Sequence, residues 1–518
     1  MRNIKLSTGR FALNNWRLLL LSLVFFFTRF INLTILPIFC DEGIYLDWGW
    51  KMVHVPGNLY FSLYDAKQPL LMWFFGISQS IFPDSLFAGR TVSVITGFTA
   101  FLGVYCIGKR FFNRNVGFIA AALFTVLPLF LFYDRQALME SAIASIGIWC
   151  IYMSILFLEK PTRKSAILLG LLLGTGFFIK SSVIPFILSI AILFMYIAKT
   201  QKDKRIRILT YSSVLVIVFI ISISLLLLNP QFWQTFHSNS RYTLSLSEML
   251  KFPISLWAHN LVGNLEIFFI FVTPLVFLSG IIGCITILRF GKLNQKILIF
   301  LFLLPIAFNI LFIKTISTRY LVSFMPLVCI FAAYFLWLVI EKINKMKFLL
   351  LACVFIIPIT LTTIQLFEPL LYFNVLSRIT RYSDKNVYVT GLTSGYGMDD
   401  VITKLKSLEN GQVTVGLALN VGVESVLQVL AHKDPKLKFV YFDSILFGNH
   451  LEGVECISTG VPFYYLSRNN ELSGLDKYFL KVVDIKKKHG TDYLVVYKLN
   501  QNCKGKTISI NPSLLPTY

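Results

Sequence analysis

The sequence predicts a polytopic α-helical membrane protein that ends in a small α/β domain. Three observations point there. Apolar runs of roughly 18 residues or more recur along the first 370 positions, each long enough to cross a hydrocarbon core about 30 Å thick. The chain is 56% hydrophobic and only 14% charged, where a soluble domain carries about 25% charged residues. From about Leu371 the long runs stop and short strand-like and helix-like segments alternate. The runs are continuous rather than alternating, which argues against a β-barrel. Only helices then satisfy the backbone in lipid.

The first run follows Arg2, Lys5, Arg10 and Arg17, as a signal peptide would. No small-x-small cleavage site follows it, however, and it ends TILPIFC, so it reads as an uncleaved first span. Next comes FCDEGIYLDWGW, with Asp41 and Glu42 side by side and Asp47 six positions on. EGIYLDWGWKM reads as a short helix, with the two acids at its positive N-terminal end and Asp47 turned to water. Gln68 to Phe82 is apolar but short, a brief span or an interfacial segment. Further runs fall at roughly 90–108, 116–133, 141–158, 165–179, 182–198, 208–228, 264–288, 297–313, 320–340 and 348–367. With the first, at 18–37, that makes about eleven (11–13) transmembrane helices.

Charge orients them. Lys109/Arg110/Arg114, Lys160/Arg163/Lys164, Lys199 to Arg207, Arg289/Lys292/Lys296 and Lys342/Lys345/Lys347 share alternate loops with the N-terminus, which places these on the cytoplasmic side. Asp41, Glu42, Asp47, Asp65, Asp84, Asp134, Glu140 and Glu248 lie in the other set, which faces outward. Much of the net charge of +22 is therefore an orientation signal, and nucleic acid is not indicated as a partner. Two outward loops are long, 38–89 and 229–263, and loops of that length are commonly functional. An odd span count puts residues 371–518 outside as well, beyond a transmembrane domain of residues 1–370.

In that C-terminal part KNVYVTG, QVTVGLAL, KLKFVYFD, VPFYYLS and TDYLVVYKL read as strands, and DDVITKLKSLEN and VESVLQVLAHKD as helices. TSGYGMDD reads as a turn from the first strand into the first helix, either a phosphate loop or a tight turn with Asp399 or Asp400 as cap. It lacks a third glycine and any Lys-Ser/Thr pair. Cys106, Cys150, Cys284, Cys329 and Cys353 lie in apolar runs, whereas Cys456 and Cys503 are free to pair if this domain is extracytoplasmic. No Cys or His spacing suggests a metal, and His237, Arg241 and His259 in the second long loop do not supply one.

The residues able to do chemistry cluster in the outward set. Asp41 and Glu42 stand where acids are rare, and LYFSLYDAKQPLLMW then places Lys67 near an apolar boundary. An acid pair followed by a basic residue at membrane level suits a base and an anionic leaving group. Asp134, Arg135 and Glu140 lie in FYDRQALMESAIA. Charges at membrane depth count toward function by default. Lys180, in GFFIKSSVIP, is able simply to snorkel. Arg319-Tyr320, with Lys314 nearby, offers a guanidinium to a lipid phosphate or a headgroup.

The acid pair, the DxxxQPLLMW-like segment, AGRTVSVITGFTAFLGVYCIGKRFFNRNVGFIAAALFTVLPLF, YDRQALMESA and LLLGTGFFIKSSVIP follow one another in an order that resembles a known family. It is the glycosyltransferase family that includes protein O-mannosyltransferases and the lipid A aminoarabinose transferase, of GT-C fold. The resemblance covers about residues 16–200, with RYLVSFMPLV at 319–328 as weaker support, and leaves out the C-terminal domain. It implies transfer of a sugar from a polyprenyl-phosphate donor, with inversion, to a glycan, lipid or protein acceptor at the outer face of the cell (inner) membrane. It implies Asp41 as general base with Glu42 as its partner. Lys67, Arg135, Arg319 and Tyr320 then meet the donor phosphate, and Glu140, Asp134, Tyr64 and His259 orient substrate. Relatives usually carry Asp where this chain has Glu140. No cofactor or metal is required by the scheme. Topology favours the same donor class, since nucleotide sugars are cytoplasmic and these acids are not. The alternatives are a transporter or flippase, which would hold polar sites mid-membrane on broken helices, or a non-catalytic sensor that binds through its α/β domain.

Overall fold

The computed structural model describes all residues except 1, 234–240, 344–345, 418–422, 432–433, 443–455, 460, 469–477, 487–488, 491–492, 501–506 and 510–518. The chain forms two compact units, one of Met1–Leu33, Met52–Phe75 and Gly89–Tyr372, the other of Thr34–Lys51, Gly76–Ala88 and Phe373–Tyr518.

The first unit is a helical bundle. Among the described residues seven helices are long and apolar enough to cross a membrane: Ser85–Phe111, Glu140–Glu159, Ser181–Thr200, Lys202–Leu227, Ile254–Phe271, Leu293–Phe312 and Lys347–Phe367. The pair Arg114–Val126 and Pro128–Asp134, bent by 66°, makes an eighth if it is counted as one broken span. Pro128 lacks the N–H that would continue the ladder, which accounts for the bend. The run expected as one span at 264–288 is instead two helices, Ile254–Phe271 and Pro274–Phe290. Thr273, at φ 69° and followed by proline, interrupts it. A continuous apolar stretch reports hydrophobicity and is blind to such a break. Gln68 to Phe82 contains the short helix Leu70–Ile81.

Helix packing uses small residues. Gly170 and Gly174 are spaced GxxxG on Arg163–Ile179, and a Cβ there would lie 2.7 Å from the Leu215 carbonyl oxygen and 2.4 Å from the Ser222 Cβ. The backbones of this helix and Lys202–Leu227 therefore meet closely, as lipid-embedded helices do. Leu63, from the one-turn helix Phe61–Asp65, joins Phe178, Ile223, Leu226 and Phe232 in a buried cluster. That anchors the segment leading to Lys67 among the bundle helices.

The second unit holds the α/β domain. Its sheet runs β2-β1-β4-β6-β5, with β1 (Val413–Leu417), β2 (Leu437–Tyr441), β4 (Phe463–Arg468), β5 (Phe479–Lys486) and β6 (Tyr493–Leu499). β1 pairs in parallel with β2 and β4, and β6 in antiparallel with β4 and β5. β3 (Cys456–Ser458) and β7 (Thr507–Ser509) form a separate pair. Helices Met398–Lys406 and Glu424–Ala431 fall where expected. KNVYVTG does not form the expected strand. Residues Asn386–Thr390 are a single π-helical turn, closed by Gly391 N–H donating to the Asn386 carbonyl at 2.7 Å. Tyr388 and Val389 are both buried, though a strand would send neighbours to opposite faces. β5 is an edge strand that the sequence reading passed over. Cys456 is disulfide-bonded, and Cys503, its expected partner, lies outside the described residues.

Candidate active site

In the helical unit three helix ends bring charge together. Glu140 opens helix Glu140–Glu159, Lys180 follows helix Arg163–Ile179, and Arg319 sits in the one-turn helix Thr318–Leu321. Lys180 Nζ donates to Glu140 Oε1 at 2.8 Å and Arg319 Nε donates to the same oxygen at 2.9 Å. The Glu140 side chain is 1% exposed, while those of Lys180 and Arg319 are 22% and 21% exposed. Glu140 Oε2 is buried with no hydrogen-bond partner among the described residues. A buried acceptor left open beside two cations is an arrangement able to receive a hydroxyl donor. Ser317 Oγ accepts the Arg319 N–H at 3.3 Å, and Thr318 Oγ1 lies 2.6 Å from the Tyr133 hydroxyl, which fixes the turn. Tyr320 is next in this turn.

A second cluster joins the two long loops. Asp65 Oδ2 accepts from Lys67, and Asp65 Oδ1 accepts from Arg241 Nη2 at 3.1 Å. Burial pushes the Asp65 carboxyl up, but Lys67 and then Arg241 outweigh it and hold the group below the usual range. Beyond Arg241 the chain pairs with the segment before Arg319: Leu244 N–H donates to the Phe312 carbonyl at 2.7 Å, and Lys314 N–H to the Tyr242 carbonyl at 2.9 Å. Lys314 Nζ also meets Glu248 at 3.0 Å. Tyr64 is 67% exposed. His259 is an exposed residue of helix Ile254–Phe271. Neither residue joins the Glu140 cluster. No group of His, Cys, Asp and Glu suited to a metal occurs among the described residues.

Asp134 and Arg135 occupy different settings. Asp134 Oδ2 accepts from Arg29 Nε at 3.2 Å and Nη2 at 3.1 Å, and both residues are buried. Arg135 donates to the carbonyls of Thr28, Arg29, Ile31 and Asn32, at 3.0, 3.1, 2.6 and 2.6 Å. Two of these carbonyls belong to the last turn of helix Arg2–Phe30 and two to the residues just beyond it. Its guanidinium caps the end of the first helix.

The acid helix, Cys40–His54, begins in the second unit with Asp41 and Glu42 in its first turn. Asp41 is half-buried and Glu42 fully buried. Glu42 Oε2 accepts the Phe39 N–H at 3.1 Å, the carboxylate half of a capping box. Asp47, expected to face water, is 5% exposed and meets Lys51 at 2.8 Å. Burial pushes its carboxyl up, and Lys51 opposes that. Residues 41–50 are all buried or partly buried, position 47 included, and the i,i+4 lysine provides its counter-charge.

Lys180 is the residue that sequence reasoning undervalued. Its signal was a lysine at a span end within an otherwise apolar stretch. The acid that completes it stands 40 positions away, at the end of another span.

Residues 66–227 match the family model described as dolichyl-phosphate-mannose-protein mannosyltransferase. That segment holds Lys67, Asp134, Arg135, Glu140 and Lys180. No curated protein matches. Among solved structures, ArnT from Cupriavidus metallidurans bound to undecaprenyl phosphate is similar with a TM-score of 0.60 at 13% identity, over 93% of this chain and 98% of that one. Its apo state gives 0.61 at 14% identity, over 94% and 98%. The archaeal oligosaccharyltransferase AglB from Archaeoglobus fulgidus, in complex with an inhibitory peptide and a dolichol-phosphate, gives 0.50 at 14% identity, over 82% and 64%. The chain is thus a multi-pass membrane protein of the GT-C fold, and the resemblance drawn from motif order is borne out.

Proposed function

We propose that this protein is a glycosyltransferase that moves a sugar from a polyprenyl-phosphate carrier to an acceptor at the outer face of the cell membrane, with inversion. The observation that carries the reading is the likeness along 98% of a protein captured with undecaprenyl phosphate. The family match over residues 66–227, a family described by its dolichyl-phosphate donor, supports the same donor class.

In this reading Asp41 takes the proton from the acceptor hydroxyl or amine as it attacks the anomeric carbon. The bond to the carrier phosphate breaks, and the phosphate leaves with the electron pair. A lipid phosphate is a good leaving group and needs charge stabilisation rather than a proton. Lys67 and Arg319 supply it, with Tyr320 as a further donor. Asp65 holds Lys67 beside Arg241, so a second cation accompanies the first. Glu140 holds Lys180 and Arg319 through one oxygen and offers the other to a sugar hydroxyl. Arg135 and Asp134 act as framework, and Glu42 steadies the turn that carries Asp41.

The test is transfer from a polyprenyl-phosphate sugar by purified protein in detergent. Asp41→Asn lowers turnover about a hundredfold or more while the carrier still binds. Near-normal turnover by that variant would remove Asp41 from the role of base.

A further inference from the structure

The second unit contains, besides its sheet, the turn that carries Asp41, and the two are joined through backbone atoms. A helix N-terminus leaves N–H groups without partners inside the helix. Here the Cys40 N–H donates to the carbonyl of Thr393 at 3.0 Å. The Phe39 ring packs on Tyr388 with centroids 4.6 Å apart, and Tyr388 in turn lies on Phe373 at 5.8 Å. At two places the chains come too close for any side chain. A Cβ on Gly395 would lie 1.8 Å from the Ile38 carbonyl oxygen, and one on Gly43 would lie 2.8 Å from the Val426 nitrogen. Both obstacles are backbone atoms, which do not swing aside. The glycine at 395, in the TSGYGMDD turn, is therefore required by close approach to the residues that open the acid helix. Close approach thus accounts for the glycine at 395 in this turn.

We propose that the α/β domain positions the general base: the turn at Thr393–Gly395, with Tyr388 and Val426, holds Ile38 to Gly43 and so sets where Asp41 stands. The C-terminal domain is then a working part of the transferase rather than an appendage. This rests on Asp41 being the base. A displacement near 1 Å at a reacting group costs about a hundredfold in rate. A methyl at Gly395 imposes a shift of that order on the first turn.

The experiment compares full-length Gly395→Ala and Tyr388→Leu with wild type, using Gly411→Ala as control, since a Cβ at Gly411 meets nothing within 4 Å. Three quantities are read: kcat for sugar transfer, Kd for a polyprenyl monophosphate, and the rate at which N-ethylmaleimide labels Cys40. Gly395→Ala is expected to lower kcat about a hundredfold and speed Cys40 labelling, with Kd within about twofold of wild type. Tyr388→Leu moves kcat and labelling the same way by about tenfold, and it decides the matter if Gly395→Ala fails to fold. Wild-type kcat in a folded variant, or unchanged Cys40 labelling, overturns the proposal. A wild-type protein that neither transfers sugar nor binds the polyprenyl monophosphate instead overturns the function reading, and Cys40 labelling then still reports whether the turn holds the helix.

Discussion

Asp134 and Glu140 sit six positions apart, both buried, both paired with arginine, and they do different things. Asp134 lies in a closed pair. Arg29 is 0% exposed, donates twice to one Asp134 oxygen, reaches the Thr125 carbonyl at 2.5 Å, and stacks over Phe25 at 4.2 Å. Glu140 lies in an open one. Its two cations are each about a fifth exposed, and its second oxygen has no partner among the described residues. Two buried carboxylates of equal depth are thus told apart by what surrounds their partners. Closed pairs fasten helices, and open ones are available to a ligand.

The largest expected effect breaks the closed pair. Arg29→Ala leaves the Asp134 charge buried and unpaired, which destabilises by about 3–5 kcal/mol, read as thermal unfolding in detergent. Glu140→Gln sharpens the contrast. Lys180 and Arg319 can turn to water, so the unfolding temperature moves little, while turnover falls about a hundredfold. Equal loss of stability in the two variants would erase the distinction. Gly97→Ala attacks the closed pair without removing a charge, since its Cβ would lie 2.3 Å from Asp134 Oδ1. It costs about 1–3 kcal/mol by overpacking. Asp65→Asn probes an exposed version of the open arrangement. Stability changes by less than about 1 kcal/mol, and polyprenyl monophosphate binds up to about fivefold more tightly once Lys67 and Arg241 lose their competing anion.

The smallest effect is a pH response at the surface. The Ser245 N–H and Lys314 pull Glu248 from its ordinary 4.5 down to about 2. The charged form is the favoured one, so the link is intact above pH 4.5 and lost as pH falls through about 2. Protection against hydrogen exchange across residues 242–248 should persist at pH 4 and fall only near pH 2.

These contrasts also mark what was legible in the sequence. Hydrophobic length announced the bundle, because crossing lipid demands it. The order of short motifs announced the fold, and helix periodicity found both helices of the α/β domain. What stayed hidden depended on partners distant in sequence. Nothing local separates Asp134 from Glu140; Arg29 stands 105 positions before the one, and Arg319 179 positions after the other. KNVYVTG has strand composition, yet Tyr388 is needed against Phe39 and Phe373, and a π turn delivers it there. The break at Thr273 is a backbone event inside a uniformly apolar run.

The cap that Arg135 places on the first helix has a consequence for how the protein is made. It donates to carbonyls 103 to 107 residues earlier in the chain. At a synthesis rate of about 5–20 residues per second, the end of that helix waits roughly 5–20 seconds for its partner. Until then its carbonyls must rely on water, so the helix end has to stay at the membrane surface while the next spans are inserted. Arg135→Ala should leave a full-length protein whose first helix is protease-accessible at that end.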